Sequence, residues 1–302
     1  MLHDVLVRIA PLLFGGNYGR LPVHSVTPVE RTDYVGGKSF QVLEWPGEEP
    51  ALVCLHGVNN SAWTWMRMAS LLSGKRRILA PSLRGHGRSY NPLSGYSLDD
   101  TRQDLDGLFE CWKLSQPVDL LGHSWGGLMA MDFAGHFPAR VRSLALADPV
   151  PPKGLNPLLR KVPALMEMAF APERADYPSS ESLMAAGRLM MYLVAWDELD
   201  RKLWEEKYDR SQRGFTPRLK DSAYREILDR TLRSDVTGVL GNVKGPVLLL
   251  RPLFTVSFIP GELCPLTRTT RCLQRFVRGD HTFIHANPID TAARMREFLD
   301  KS

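Results

Sequence analysis

Gly122-His123-Ser124-Trp125-Gly126 lies between an apolar run, Val118-Asp119-Leu120-Leu121, and a helix-like run from Leu128 to Phe137. This order reads as strand, sharp turn and helix, the setting in which a G-x-S-x-G pentapeptide presents a serine hydroxyl at a strand end. The glycines at its two ends let the backbone turn tightly and hold Ser124 in a strained conformation. Ser124 is therefore the candidate nucleophile. After it, Gly126, Gly127, Ala130 and Ala134 put small side chains on successive turns, so the helix can approach a sheet closely before Pro138 ends it. A Gly-rich turn whose serine merely caps the helix would share these five letters, and the remainder of the chain must discriminate.

Outward from the pentapeptide, apolar runs alternate with longer helix-like segments, the pattern of a parallel sheet covered by helices. Strands are expected at Phe40 to Trp45, Ala51 to Leu55, Arg77 to Ala80, Val118 to Leu121, Val141 to Ala147, Val247 to Leu250 and Cys272 to Val277. Several are nearly unbroken hydrophobic runs, as strands buried on both faces should be. Helices are expected at Trp63 to Leu72, Leu98 to Leu114, Leu128 to His136 and Thr291 to Leu299. The fold class is α/β, with a doubly wound, mostly parallel sheet.

The alternation breaks at Pro149 and resumes near Asn242, so the expected division is a core of residues 1–148 and 243–302 and a helical cap of residues 149–242. Helix-like segments in the cap run around Leu158 to Phe170, Ser180 to Lys207 and Ser222 to Arg233. Apolar side chains there, Met190 and Trp196 among them, either pack on the body or line an acyl-sized pocket.

A serine hydroxyl is a weak nucleophile, and acyl transfer needs a base, a carboxylate to orient that base, and donors for the oxyanion. Gly279-Asp280-His281 follows the last expected strand, which makes His281 the candidate base at a strand exit, with His285 as its competitor. Leu55-His56-Gly57-Val58 ends an earlier strand, and its glycine lets the backbone approach a ligand. The oxyanion donors would be the amides of Val58 and Trp125, with His56 and Gly57 beside the substrate. Asn59 and Asn60 either contact substrate or, the favoured role, cap the next helix.

Together these features resemble the α/β-hydrolase fold family. The resemblance rests on His56-Gly57 followed by Trp65, on Arg84-Gly85-His86-Gly87-Arg88-Ser89, on the Gly122 to Gly126 elbow, and on Gly279-Asp280-His281 with Asn287-Pro288 beyond. It implies an α/β-hydrolase sheet with an inserted helical cap and a structural role for His86. Family members commonly carry an aspartate just beyond the strand after the cap, yet Val247 to Leu250 leads into Arg251-Pro252-Leu253-Phe254-Thr255-Val256-Ser257, and no carboxylate appears before Glu262. Asp148, at the end of the strand after the nucleophile helix, preserves the order Ser, Asp, His and is the favoured acid, with Glu262 as the alternative. A structural turn carboxylate before Pro149 is the bland reading of Asp148. The resemblance implies hydrolysis of a carboxylic ester, lactone or thioester through an acyl-enzyme. C-C bond hydrolysis and a weakly active or non-catalytic ligand-binding protein are the alternatives. Serine at the elbow disfavours epoxide hydrolase and dehalogenase chemistry, which needs aspartate there.

Bulk properties fit this reading. The 302 residues are 44% hydrophobic and 24% charged, ordinary for a globular chain. The net charge of +5 is scattered, Lys75-Arg76-Arg77 being a short run, so no nucleic-acid partner is expected. Cys54, Cys111, Cys264 and Cys272 show neither metal-ligand nor disulfide spacing, and no metal or other cofactor is expected. Val5 to Phe14 is apolar but interrupted by Arg8 and Pro11, so neither a secretory leader nor a membrane span is expected. The default expectation is a cytoplasmic enzyme with a small-molecule acyl substrate and no membrane attachment, and a homodimer is compatible with the sequence.

Overall fold

Eight strands form one sheet: β1 Val29–Val35, β2 Lys38–Trp45, β3 Glu48–Leu55, β4 Arg76–Pro81, β5 Val118–His123, β6 Val141–Ala147, β9 Val247–Pro252 and β10 Cys272–Val277. A separate hairpin is made by β7 Tyr208–Ser211 and β8 Gly214–Pro217. The computed structural model describes residues 27–153, 174–190, 197–253 and 272–302, the side chains of 189 and 190 excepted. The sheet order is β1-β2-β4-β3-β5-β6-β9-β10, antiparallel through β1, β2 and β4 and parallel from β4 to β10.

Alternate strand residues feed two cores. Val53 and Leu55 of β3 join Leu105, Leu108 and Phe109 of α2 Leu98–Cys111 and Met129 and Phe133 of α3 Trp125–His136. Leu52 and Cys54 point the other way, to Met68 of α1 Met66–Leu72 and to Met295 and Phe298 of a C-terminal helix, Pro288–Leu299. Burial on both faces explains why these strands read as unbroken apolar runs.

Register sets the site. Leu55 pairs with Gly122, His123 with Ala147, and Ala147 with Leu250. Strands β3, β5, β6 and β9 thus end level with one another, and the residues that follow them emerge along one sheet edge, where ligands of parallel α/β sheets bind.

Between β6 and β9 lie α4 Ser180–Met190, α5 Glu198–Glu205, α6 Asp221–Arg233 and the short α7 Thr237–Leu240. Leu183, Trp204, Tyr208 and Phe215 form a small core of their own. Arg67 on α1 reaches across to it, donating to both carboxylate oxygens of Asp200 at 2.7 and 3.0 Å and pairing with Asp197 at 2.7 Å. Ala223, Tyr224 and Ile227 of α6 instead join the main core beside α2 and α3, so this helix of the expected cap packs into the body.

Two features were not expected from sequence. β1 carries charges on an exposed edge, and the β7–β8 hairpin follows a stretch read as wholly helical. The chain closes with α8 Phe283–Ala286 and α9 Pro288–Leu299. Among the described residues no helix is long and apolar enough to cross a membrane, and no group of three His, Cys, Asp or Glu could hold a metal ion. Val5 to Phe14, Cys264 and the expected helix from Leu158 to Phe170 lie outside the described residues.

Candidate active site

Ser124 has φ 53° and ψ −120°, a conformation that a residue with a Cβ adopts only when its surroundings enforce it. Its N–H donates to Ala147 at 3.1 Å, and its carbonyl accepts from Gly127 at 2.9 Å and Val150 at 3.0 Å. The glycines around it act through contact rather than through left-handed geometry. A Cβ on Gly122 would lie 2.3 Å from the Gly126 carbonyl oxygen, and one on Gly126 would lie 2.3 Å from that of Leu55. A Cβ on Gly127 would come within 2.6 Å of Pro149. The positive φ belongs to the serine itself, and the glycines let three chain segments close around it.

His281 follows β10, and its Nδ1–H donates to Oδ2 of Asp148 at 2.7 Å. That bond leaves Nε2 as the proton acceptor. Asp148 is fully buried with φ 40°, its N–H bonded to Leu250 at 2.9 Å. The structure therefore brings together Asp148 and His281 as the sequence suggests, across 133 residues of chain. His285, the competing base, is buried on α8, which pushes it down to about 3. Glu262, Trp196 and the side chain of Met190 lie outside the described residues.

The β3 exit loop lies against the serine. A Cβ on Gly57 would sit 3.0 Å from the Ser124 Cβ and 3.2 Å from His123 Nδ1. Among the described residues, the amides of Val58 and Trp125 donate no hydrogen bond, which leaves both available to a ligand oxygen. Asn59 follows with φ 58°. The helix cap is Ser61, which accepts from the Trp63 N–H at 3.4 Å, rather than Asn59 or Asn60.

Two histidines fix this loop. His56 is completely buried; its Nε2 accepts from Leu83 N–H at 2.9 Å and its Nδ1–H donates to Gly57 at 2.7 Å. With both ring nitrogens engaged by backbone, His56 braces the loop. His86 does the same one layer out, accepting from Asn59 N–H at 3.2 Å and donating to Arg84 at 2.8 Å. Burial lowers His86 to about 4 and His56 well below the usual histidine range, as it must where one nitrogen has to accept.

His123, inside the pentapeptide, was not singled out from sequence. Its Nε2–H donates to the backbone carbonyl of His281 at 2.9 Å, tethering the β10 exit to the elbow. The only sequence signal was its position next to Ser124.

These neutral histidines make stability depend on pH. Their folded pKa values lie below the unfolded value near 6.5, so the unfolded chain binds the extra protons. Their contribution is intact above pH 6.5 and lost as pH falls toward 4, at ~1.4 kcal/mol per pH unit for each histidine. The melting temperature should therefore drop steeply between pH 6.5 and 5, above the range where carboxylates titrate. Equal melting temperatures at pH 7.5 and 5 would contradict this.

Comparison with known proteins adds the family. A model of the alpha/beta hydrolase fold matches residues 50–250. Over 277 residues, 90% of this chain and 95% of the relative, the sequence is 28% identical to the 2-(acetamidomethylene)succinate hydrolase of Mesorhizobium japonicum. It is 37% identical over 111 residues to an epoxide hydrolase of Caballeronia sordidicola, covering 36% of this chain and 33% of that one. The first curated relatives are matched over only 32% to 39% of their own length. Among solved structures, E-2-(acetamidomethylene)succinate hydrolase superposes with a TM-score of 0.76 at 23% identity, covering 90% of this chain and 99% of that one. That likeness is one of fold.

Proposed function

We propose that this chain, which belongs to the alpha/beta hydrolase fold family, is a serine hydrolase that cleaves a carboxylic ester, lactone or thioester through an acyl-enzyme. The observation that supports this most is the 2.7 Å bond from His281 Nδ1 to the buried Asp148 carboxylate, one strand over from Ser124. In this reading Ser124 Oγ attacks the carbonyl carbon as His281 Nε2 takes its proton. The tetrahedral oxyanion is held by the Val58 and Trp125 amides. On collapse the acyl–leaving-group bond breaks, and His281 returns the proton to the departing atom. Water, deprotonated by His281, then releases the acid and restores Ser124. In this reading α4, α5 and the β7–β8 hairpin belong to a cap over this edge.

Serine at the elbow argues against epoxide opening, despite the similarity to an epoxide hydrolase. The Asp148–His281 bond argues against a purely binding protein. The test is labelling by a fluorophosphonate, followed by peptide mass spectrometry, together with a panel of ester, lactone, thioester and β-diketone substrates. Stoichiometric modification at Ser124 is expected. Absence of labelling in folded protein would overturn the serine mechanism, and turnover of the diketone alone would move the reaction to C-C cleavage.

Gly57 gives a geometric check. An alanine there must push Ser124 or His123 aside by a few tenths of an ångström, and displacements near 1 Å cost about 10²-fold. Gly57→Ala should lower kcat by about 10- to 100-fold with the melting temperature little changed. Full activity would mean that the loop does not press on the nucleophile.

A further inference from the structure

His123 precedes the nucleophile in the chain, and no step of the proposed acyl transfer uses its side chain. Its ring is buried at the end of β5. There it lies against the ring of His281, the centroids 4.6 Å apart and the planes inclined at 35°. The two nitrogens differ. Nε2 is 2.9 Å from the backbone carbonyl oxygen of His281, and a carbonyl only accepts, so the proton sits on Nε2. Nδ1 is left as a bare lone pair, buried and without a hydrogen-bond partner among the described residues. An unpaired interior acceptor costs stability, and an apolar ring of similar size would avoid that cost. What the imidazole offers in return is its other end.

His281 needs that end. Among the described residues two hydrogen bonds join it to the sheet, from its ring Nδ1–H to Asp148 at 2.7 Å and from His123 to its carbonyl. Asp280 accepts from the Thr282 N–H at 2.8 Å and from the Thr282 hydroxyl at 2.7 Å, but these bonds stay within the turn. The His281 side chain is 37% exposed, so packing alone leaves it room to swing. One contact at Nδ1 lets the ring pivot. A second at the main chain fixes the stem from which the ring projects, and with it the place of Nε2. Because His123 and Ser124 are consecutive, this second contact refers the base directly to the nucleophile, whose own backbone is fixed by Ala147, Gly127 and Val150.

The donor must also be uncharged. His281 becomes a cation as Ser124 attacks, and a lysine or arginine making the same bond would set a permanent like charge beside it. Burial, together with the facing His281, His285 and His56, holds His123 well below the usual histidine range. It therefore donates as a neutral ring near neutral pH.

We propose that His123 is a positioning residue of the triad, which registers His281 on the nucleophile elbow through an uncharged N–H donated to the His281 main chain. The inference rests on the acyl-hydrolase reading and adds a side chain to the three that reading employs.

The test compares His123→Phe, which keeps a flat ring and removes the N–H, with His123→Gln, whose amide nitrogen has a reach similar to that of imidazole Nε2. For a short-chain 4-nitrophenyl ester, His123→Phe should lower kcat by about 10- to 100-fold, the cost of a base displaced by up to about 1 Å, with KM little changed. Fluorophosphonate labelling of Ser124 should slow in proportion, because that reaction also needs His281 as base. His123→Gln should recover most of both rates, a rescue that mere loss of packing would not give. The His281 Nδ1–H, identified in the proton NMR spectrum as a far-downfield signal that Asp148→Asn removes, reads the geometry without turnover. It should persist in His123→Gln and broaden by exchange in His123→Phe. Wild-type kcat in His123→Phe, or equal losses in the two variants, would overturn the positioning role and leave the serine mechanism standing. Neither hydrolysis nor labelling in wild type would overturn that mechanism instead, and the NMR signal would still decide the tether; a signal unchanged in His123→Phe would end the proposal. Should His123→Phe fail to fold, His123→Asn takes its place, since the shorter amide does not reach the carbonyl; equal rates for the asparagine and glutamine variants would overturn the proposal.

Discussion

Replacing Ser124 by alanine is expected to lower kcat for an activated ester by about 10⁶-fold, because removing the nucleophile of such a triad costs nearly as much as removing all three members. The substitution is unusually clean here. Ser124 holds φ 53° and ψ −120°, and alanine keeps the Cβ that makes this conformation strained, so the balance between folded and unfolded chain changes little. Its backbone bonds to Ala147, Gly127 and Val150 do not involve the hydroxyl. Ser124→Ala should thus melt within a few degrees of wild type while losing turnover and fluorophosphonate labelling together. A residual rate above about 10⁻² of wild type would mean that another group attacks the carbonyl.

The second large effect concerns the acid. Asp148→Asn should lower kcat by about 10⁴-fold with a smaller effect on KM. Asparagine has the size of aspartate and tolerates positive φ better than most residues, so the φ of 40° at this position need not change. What is lost is the charge facing His281 Nδ1 across 2.7 Å. In the proposed mechanism the imidazolium formed as Ser124 attacks would then lack its counter-charge, and an amide N–H turned toward Nδ1 would favour the wrong tautomer. Glu262→Gln, made alongside, should leave the rate near that of wild type. Similar kcat values for Asp148→Asn and wild type would remove Asp148 from the mechanism.

The parallel strands were legible because they are buried on both faces, which leaves unbroken apolar runs such as Leu248 to Leu250. β1 was not, because Glu30, Arg31 and Asp33 lie on an exposed edge and resemble a loop. The positions of the candidate residues Ser124, His281 and Asp148 at strand ends were readable, because strand ends can be located from hydrophobicity alone. The structural role of His86 was implied by the resemblance, but the bracing by His56 was hidden, since it depends on a partner 27 residues away in chain. For Gly122 and Gly126 the tight turn was legible, but the neighbouring segment that crowds Gly126 was not. What crowds Gly126 is the backbone of Leu55 and His56, and no local pattern announces that contact.

Among the described residues, four that are not glycine hold a positive φ, and three of them, Asn59, Ser124 and Asp148, surround the site. Glycine tolerates such conformations without the penalty of a Cβ. A mutant library screened for heat resistance alone would therefore be drawn to these three codons and would enrich robust but inert proteins. Directed evolution of this enzyme toward higher temperature needs a turnover screen at every round, or these positions held fixed while the rest of the chain varies.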